Sequence, residues 1–174
     1  MRKLLCLLLA LFCVLGMFDC KKEEKIPENA VAVYYKIANY DYDAEDGMIG
    51  KSYLDAADHE EDYSCLLNAY LQTAPGEGFA STFPKNLSIV RFRLETMTAN
   101  VILSPHIKEC KGMDLTIALS CLTKTIISMT GCTEVIFSAE DTLLYGEKFI
   151  TLNADSFLLA DDCVPAQNES GEVE

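Results

Sequence analysis

The chain has 174 residues, half of them apolar, with 27 acidic against 14 basic side chains and a net charge of −13. So acidic a sequence, with no basic cluster beyond Lys21 and Lys22, excludes nucleic acid as a partner. The apolar content excludes a wholly disordered chain, and the length beyond the leader suits one domain with a real core.

Arg2 and Lys3 precede an apolar run from Leu4 to Phe18. That run is too short for an ordinary spanning helix and has the length of the apolar part of an export signal. Residues 1–19 are expected to act as a signal peptide or an anchor. Cys20 stands at the apolar-to-charged border, where its setting partly resembles the acylation site of bacterial lipoproteins. Met17, Phe18 and Asp19 occupy positions that usually hold small residues. A lipidated Cys20, an uncleaved anchor and free secretion all share these flanks. The first two would tether the domain to a membrane.

Residues 20–29 read as a charged tether containing Pro27, and residues 30–160 as the folded domain. The domain opens on "AVAVYYKI", β-branched and aromatic as a strand requires. An acid-rich loop follows, and then "MIGKSYL" as a second strand. Tyr63, Leu66, Leu67, Tyr70 and Leu71 recur at helical spacing, with Pro75 and Gly76 closing the run. Asp58, followed three residues on by Glu61, is expected to cap that helix. In "LSIVRFRL", Val90, Phe92 and Leu94 alternate with Arg91 and Arg93, so the first three are expected to face inward. The run "ANVILS" returns antiparallel after the turn "ETMT". Asp114 is expected to cap a second helix reaching about Thr130, with Leu115, Ala118, Leu119, Leu122, Ile126 and Met129 along one stripe and Gly131 at its end. "TEVIFS" is a further strand, and "LLYGEKFITL" supplies short strand material. Residues 161–174 form an acidic tail without apolar pattern, read as disordered. The order implies an α+β fold: a small mixed sheet with two amphipathic helices packed on one face.

The loop from Asp41 to Gly47 places Asp41, Asp43, Glu45 and Asp46 close together. A helix-loop-helix calcium loop needs glycine at position 6 and glutamate at position 12. Counted from Asp41, those positions hold Asp46 and Ser52, and strands flank the loop, so it reads as a solvated turn. Calcium capture by this loop is the alternative. His59 sits among helix-capping acids, and His106 follows Pro105 at a strand end with no serine or cysteine nucleophile motif beside it. The domain has Cys65, Cys110, Cys121, Cys132 and Cys163; the equally spaced Cys110, Cys121 and Cys132 lack the close ligand pairs of structural zinc sites and read as small core residues. Five is odd, so at least one of them stays unpaired within the chain. No catalytic motif, metal site or cofactor is expected, and the chain is not expected to be an enzyme.

The order of elements, together with "VAVYY", "LLNAYLQTAPGEG", "STFPKNLSIVRFRL", "ANVILSP", "LTIALSCLTKTI" and "TEVIFS", resembles the GerM domain, named after a sporulation and germination protein. The resemblance runs from about Ala30 to Asp155 and departs from the family in "LETMTAN", which lacks the usual turn glycine. It implies a non-enzymatic module outside the cytoplasm, similar to the ring-building domains of secretion and sporulation assemblies. Those pack side by side through helix faces and sheet edges. Protein partners in an envelope or sporulation assembly, self-association among them, and a membrane reached through the amino terminus are what this implies.

Overall fold

The computed structural model describes residues 29–39, 47–56 and 62–156. The leader with Cys20, the acids Asp41, Asp43, Glu45 and Asp46, the run from Asp58 to Glu61 and the tail 161–174 lie outside the described residues.

β1 (Ala30–Ile37) turns Val33 and Tyr35 into the core. It pairs antiparallel with β2 (Ile49–Asp55) along its whole length, from Ala30 opposite Asp55 to Lys36 opposite Ile49. On its other side, among the described residues, only Lys36 and Ile37 find a strand, the two-residue β3 (Phe79–Ala80). At Tyr34 that edge is met by side chains instead. The Tyr34 N–H donates to Thr125 Oγ1 at 3.0 Å, and its carbonyl accepts from the Tyr70 hydroxyl.

Those hydroxyls come from the two helices. α1 (Tyr63–Gln72) buries Leu66, Leu67, Tyr70 and Leu71, the expected stripe. Its cap is Asp62, whose carboxylate accepts from the Ser64 and Cys65 N–H groups. The expected cap at Asp58 is thus corrected: the first free N–H groups belong to residues two and three beyond Asp62, within reach of a short side chain only from there. α2 (Met113–Thr130) begins at Gly112 (φ 55°) with no side-chain cap, and Asp114 lies in its first turn rather than at its cap. A carboxylate there is still favoured by the helix dipole. Gly131 closes α2 in the left-handed region, φ 70°, as expected.

The second sheet runs β4 (Ile89–Glu95), β5 (Thr98–Leu103), β6 (Glu134–Ala139), β7 (Ile150–Asn153). β5 and β6 are parallel, joined across α2, and the other pairs are antiparallel. Ala99, Val101, Leu103, Val135 and Phe137 form its buried face. The α+β class stands, but the strands divide into two sheets where one was expected. The reason lies in α2. Residues Ile117 to Thr123 are buried without interruption, because the helix touches β1 of the first sheet and β6 and β7 of the second. A helix inserted between strands this way occupies the edge at which the sheets could have merged.

β4 departs from strict alternation. Its register shifts between Ile89 and Arg91, so Ile89 opposes Leu103 while Phe92 opposes Val101. One extra residue reverses the side-chain parity. Val90, expected inside, is 45 % exposed and Ile89 is buried in its place. Helix α1 shields the start of this edge: the Asn68 side chain accepts from the Ile89 N–H at 2.8 Å and donates to its carbonyl at 3.2 Å, as a neighbouring strand would.

The turn from β4 to β5 is Thr96-Met97, with Thr96 at φ 56°. That first position of a two-residue hairpin is where glycine is favoured, and a β-branched side chain there is strained. Thr96→Gly is expected to stabilise the fold by about 1 kcal/mol in urea unfolding, with an unchanged dependence on denaturant. Tyr70→Phe keeps the ring and removes the hydroxyl from the Tyr34 carbonyl. It is expected to cost about 1–3 kcal/mol in the same measurement.

Candidate functional site

Two places on the described surface have a distinct chemistry. The first is a hollow of about 390 Å³ where Lys36, Ser81 and Thr82 face Glu109, Cys110 and Asp114. The "STFP" loop and the 3-10 turn Pro105–Glu109 form its walls. The Cys110 thiol donates to the Thr82 carbonyl at 3.4 Å. Burial raises its pKa, and the carboxylates of Asp114 and Glu109 add to that rise. A thiol held protonated in this way is a poor nucleophile and a poor metal ligand.

Behind this wall lies the core. The Cys121 thiol is pushed up to about 12 by burial, opposed by a smaller effect of the Thr82 hydroxyl. That hydroxyl oxygen is buried without a conventional hydrogen-bond partner. Tyr35 is also raised to about 12, by burial first and by Cys121 second. Its ring stacks obliquely on Tyr70 at 5.1 Å, and Tyr70 meets Phe83 edge-on at 5.3 Å. Cys110, Cys121 and Cys132 are buried thiols with no disulfide, Cys65 is exposed, and Cys163 lies outside the described residues. The equal spacing of Cys110, Cys121 and Cys132 assembles no metal site: among the described residues no cluster of three histidine, cysteine or acidic side chains could hold an ion.

His106 has a neighbour that the sequence pattern did not show. Its Nδ1 is 3.5 Å from Ser104 Oγ, and that oxygen accepts from the Ser88 N–H at 3.1 Å. The Ser104 N–H in turn donates to the Ser88 carbonyl at 2.9 Å. The serine hydroxyl therefore extends the pairing of β4 and β5 by one step and acts as a fastener. His59 and the acids of the loop 41–46 lie outside the described residues.

The second place is the hairpin arm between β6 and β7. Leu144 and Glu147 exchange two main-chain hydrogen bonds of 2.9 Å around Tyr145 (φ 50°) and Gly146 (φ 85°). Both central residues have positive φ, as in a type I′ turn. Asn-Gly is the usual pair for that turn, so Tyr-Gly gave a weak sequence signal. Leu144 is 1 % exposed and anchors the arm, and the Tyr145 hydroxyl bonds Thr116 of α2. This anchoring leaves Leu143 and Phe149, 55 % and 66 % exposed, beside an apolar groove of about 470 Å³ floored by Ile102 and Ala139.

Ionisation ties the core to pH. The raised Tyr35 and Cys121 groups are neutral in the fold, against ordinary values of 10.0 and 9.0. Their contribution to stability is complete below pH 9 and is lost as pH rises from there to about 12, because the unfolded chain releases these protons first. Thermal unfolding followed across that range is expected to show a falling melting temperature, and proton release on unfolding.

Among the described residues no helix is long and apolar enough to cross a membrane. No family model matches the chain, and no curated protein matches it significantly. Two solved structures are among those similar to the chain. The tandem GerMN domains of the sporulation protein GerM from Bacillus subtilis superpose with a TM-score of 0.53 and 14% identity, over 75% of this chain and 47% of that one. The chain thus spans about half the length of that tandem structure. A Clostridium perfringens protein provisionally named a lipoprotein matches at a TM-score of 0.45 and 14% identity, over 74% of this chain and 89% of that one. The strand order, the two helices and the first of these superpositions make the chain, by fold, a GerMN-like α+β domain.

Proposed function

We propose that the chain is a membrane-tethered interaction module that works outside the cytoplasm, in a cell-envelope or sporulation-associated assembly. The observation that carries this is the hairpin arm. A rigid turn, anchored by Leu144 and by the bond from Tyr145 to Thr116, holds Leu143 and Phe149 out in water beside an apolar groove. Large apolar side chains kept exposed on an anchored scaffold are what a protein contact requires. The likeness of fold to a domain of a sporulation protein supports the class of assembly. The leader and Cys20 support the tether, since the charged segment that follows can separate the domain from a lipid surface. The module acts by surface complementarity, without a catalytic step.

Two measurements test this. In bacterial cells the full chain is expected in the membrane fraction, digestible by protease added outside the membrane. Cys20→Ala is expected to release it if acylation is the tether, and to leave it bound with an intact leader if Leu4 to Phe18 is. A chain protected from external protease would overturn the location. Replacing Leu143 and Phe149 together by Ser should leave the melting temperature within a few degrees of the parent, since both are exposed. The same variant should lose the crosslinks to other envelope proteins that the parent forms.

A further inference from the structure

The hollow between the "STFP" loop and the start of α2 is lined by opposite charges that do not meet. Lys36, near the end of β1 and opposite Ala80 of β3, is the cationic side chain on its wall. Glu109, at the end of the 3-10 turn, and Asp114, in the first turn of α2, supply two carboxylates. The chain turns between them at Gly112 (φ 55°), and both line the same hollow. Both also act on the Cys110 thiol, raising its pKa. Among the described residues, Lys36 makes no ion pair with either carboxylate. The Cys110 thiol bonds the Thr82 carbonyl at 3.4 Å and so pins one wall to the other. Ala80, Phe83 and Pro84 give the hollow an apolar side. Its volume of about 390 Å³ falls within the roughly 300–1,000 Å³ of small-molecule sites.

We infer that this hollow binds a small molecule with two ammonium groups, one carboxylate and an apolar stem, which is the make-up of a free basic amino acid such as lysine. The count of charges selects it. Two carboxylates and one ammonium on the protein leave one negative charge, and a ligand with the reverse pattern meets all three with charge-assisted hydrogen bonds. The ligand carboxylate is met by Lys36, its two ammonium groups by Glu109 and Asp114, and its methylene stem lies against Ala80, Phe83 and Pro84. A diamine would leave Lys36 without a counter-charge. A neutral amino acid would leave one of the carboxylates without one. Phosphate and other anions bring the wrong sign to a site that is already net negative. Walls pinned in advance lower the ordering cost of binding. Glu109 and Asp114 are exposed, so solvent screens part of each contact, and the dissociation constant is expected to be on the order of 1 mM.

This site goes beyond the interaction surface proposed above and does not depend on it: the chain with Leu143 and Phe149 replaced by Ser should bind lysine as the parent does. The test titrates the isotope-labelled full chain, in mild detergent, with L-lysine and follows amide chemical shifts. Saturable shifts are expected at Lys36, at Ala80 to Thr82 and from Glu109 to Asp114. L-Norleucine, which lacks the side-chain amine, and 1,5-diaminopentane, which lacks the carboxylate, are each expected to bind about tenfold more weakly or worse. Lys36→Gln should weaken lysine by about tenfold and leave the diamine binding at least as well as before. Glu109→Gln and Asp114→Asn should each weaken both ligands. None of the three is a core residue, and melting curves of the variants check that the fold is kept. The absence of saturable shifts at these residues up to about 50 mM lysine overturns the site. So does norleucine or the diamine binding as tightly as lysine, or a set of folded variants that all bind as the parent does.

Discussion

A strand with neighbours on only part of its length must satisfy its main-chain groups elsewhere, and at Tyr34 of β1 two buried hydroxyls do so. The N–H and C=O of Tyr34 would be orphaned on the side of β1 away from β2, since β3 reaches only Lys36 and Ile37. Thr125 and Tyr70 supply the missing acceptor and donor, one from each helix. Leaving such a group unmet inside the protein costs about 1–3 kcal/mol, a large share of the stability of a small domain. The requirement fixes how both helices lie against β1. It also explains why residues as polar as Thr123 and Thr125 are fully buried on α2: Thr123 returns its hydroxyl to the Leu119 carbonyl, and Thr125 spends its own on the strand. The aromatic chain of Phe79, Tyr35, Tyr70 and Phe83 then packs around this point.

The ion pair between Arg93 and Glu95 contributes little to holding the molecule together. The bridge from Arg93 to Glu95 is 3.3 Å long and joins side chains that are 70 % and 58 % exposed, where solvent screens most of its value. Stability comes instead from one connected apolar cluster that draws on both sheets and both helices. The surplus of acids leaves the surface well hydrated and repelled from anionic polymers. Against that background the exposed apolar arm at Leu143 and Phe149 stands out as a surface feature.

Much of this was legible where side-chain periodicity reports a single face. The α1 stripe, the buried alternation of β5 and the left-handed glycine after α2 are local patterns, and each sits where its pattern places it. The misplaced features depend on events that periodicity does not encode. An acid-rich run offers several residues able to cap a helix, and the choice of Asp62 over Asp58 depends on where the chain first turns helical. A one-residue bulge reverses the parity of β4, so Val90 and Ile89 exchange sides with no change in composition. The second sheet was hidden because the buried threonines of α2 look, in sequence, like the polar side of an amphipathic helix. The Ser104–His106 contact and the Tyr-Gly turn of the hairpin arm carried signals too weak to separate from background. As for the acidic loop and Cys20, the chemistry is legible in the sequence and their geometry lies outside the described residues.

The parallel pairing of β5 with β6 has a consequence for the order of folding. Antiparallel neighbours can zip from a tight turn, but these two strands cannot begin until the intervening chain has crossed back, with Thr98 meeting Glu134 across 36 positions. The bond from Tyr34 to Thr125 spans 91 positions and waits on the same helix. Loop closure must precede the contacts that reward it, so α2 is the late gate for both halves of the molecule. A chain that emerges amino terminus first therefore holds the β1–β2 hairpin incomplete until nearly three quarters of its length has appeared. Through that interval the exposed strand edges are open to wrong partners, and a short delay in completing α2 would be felt as aggregation before it was felt as lost stability.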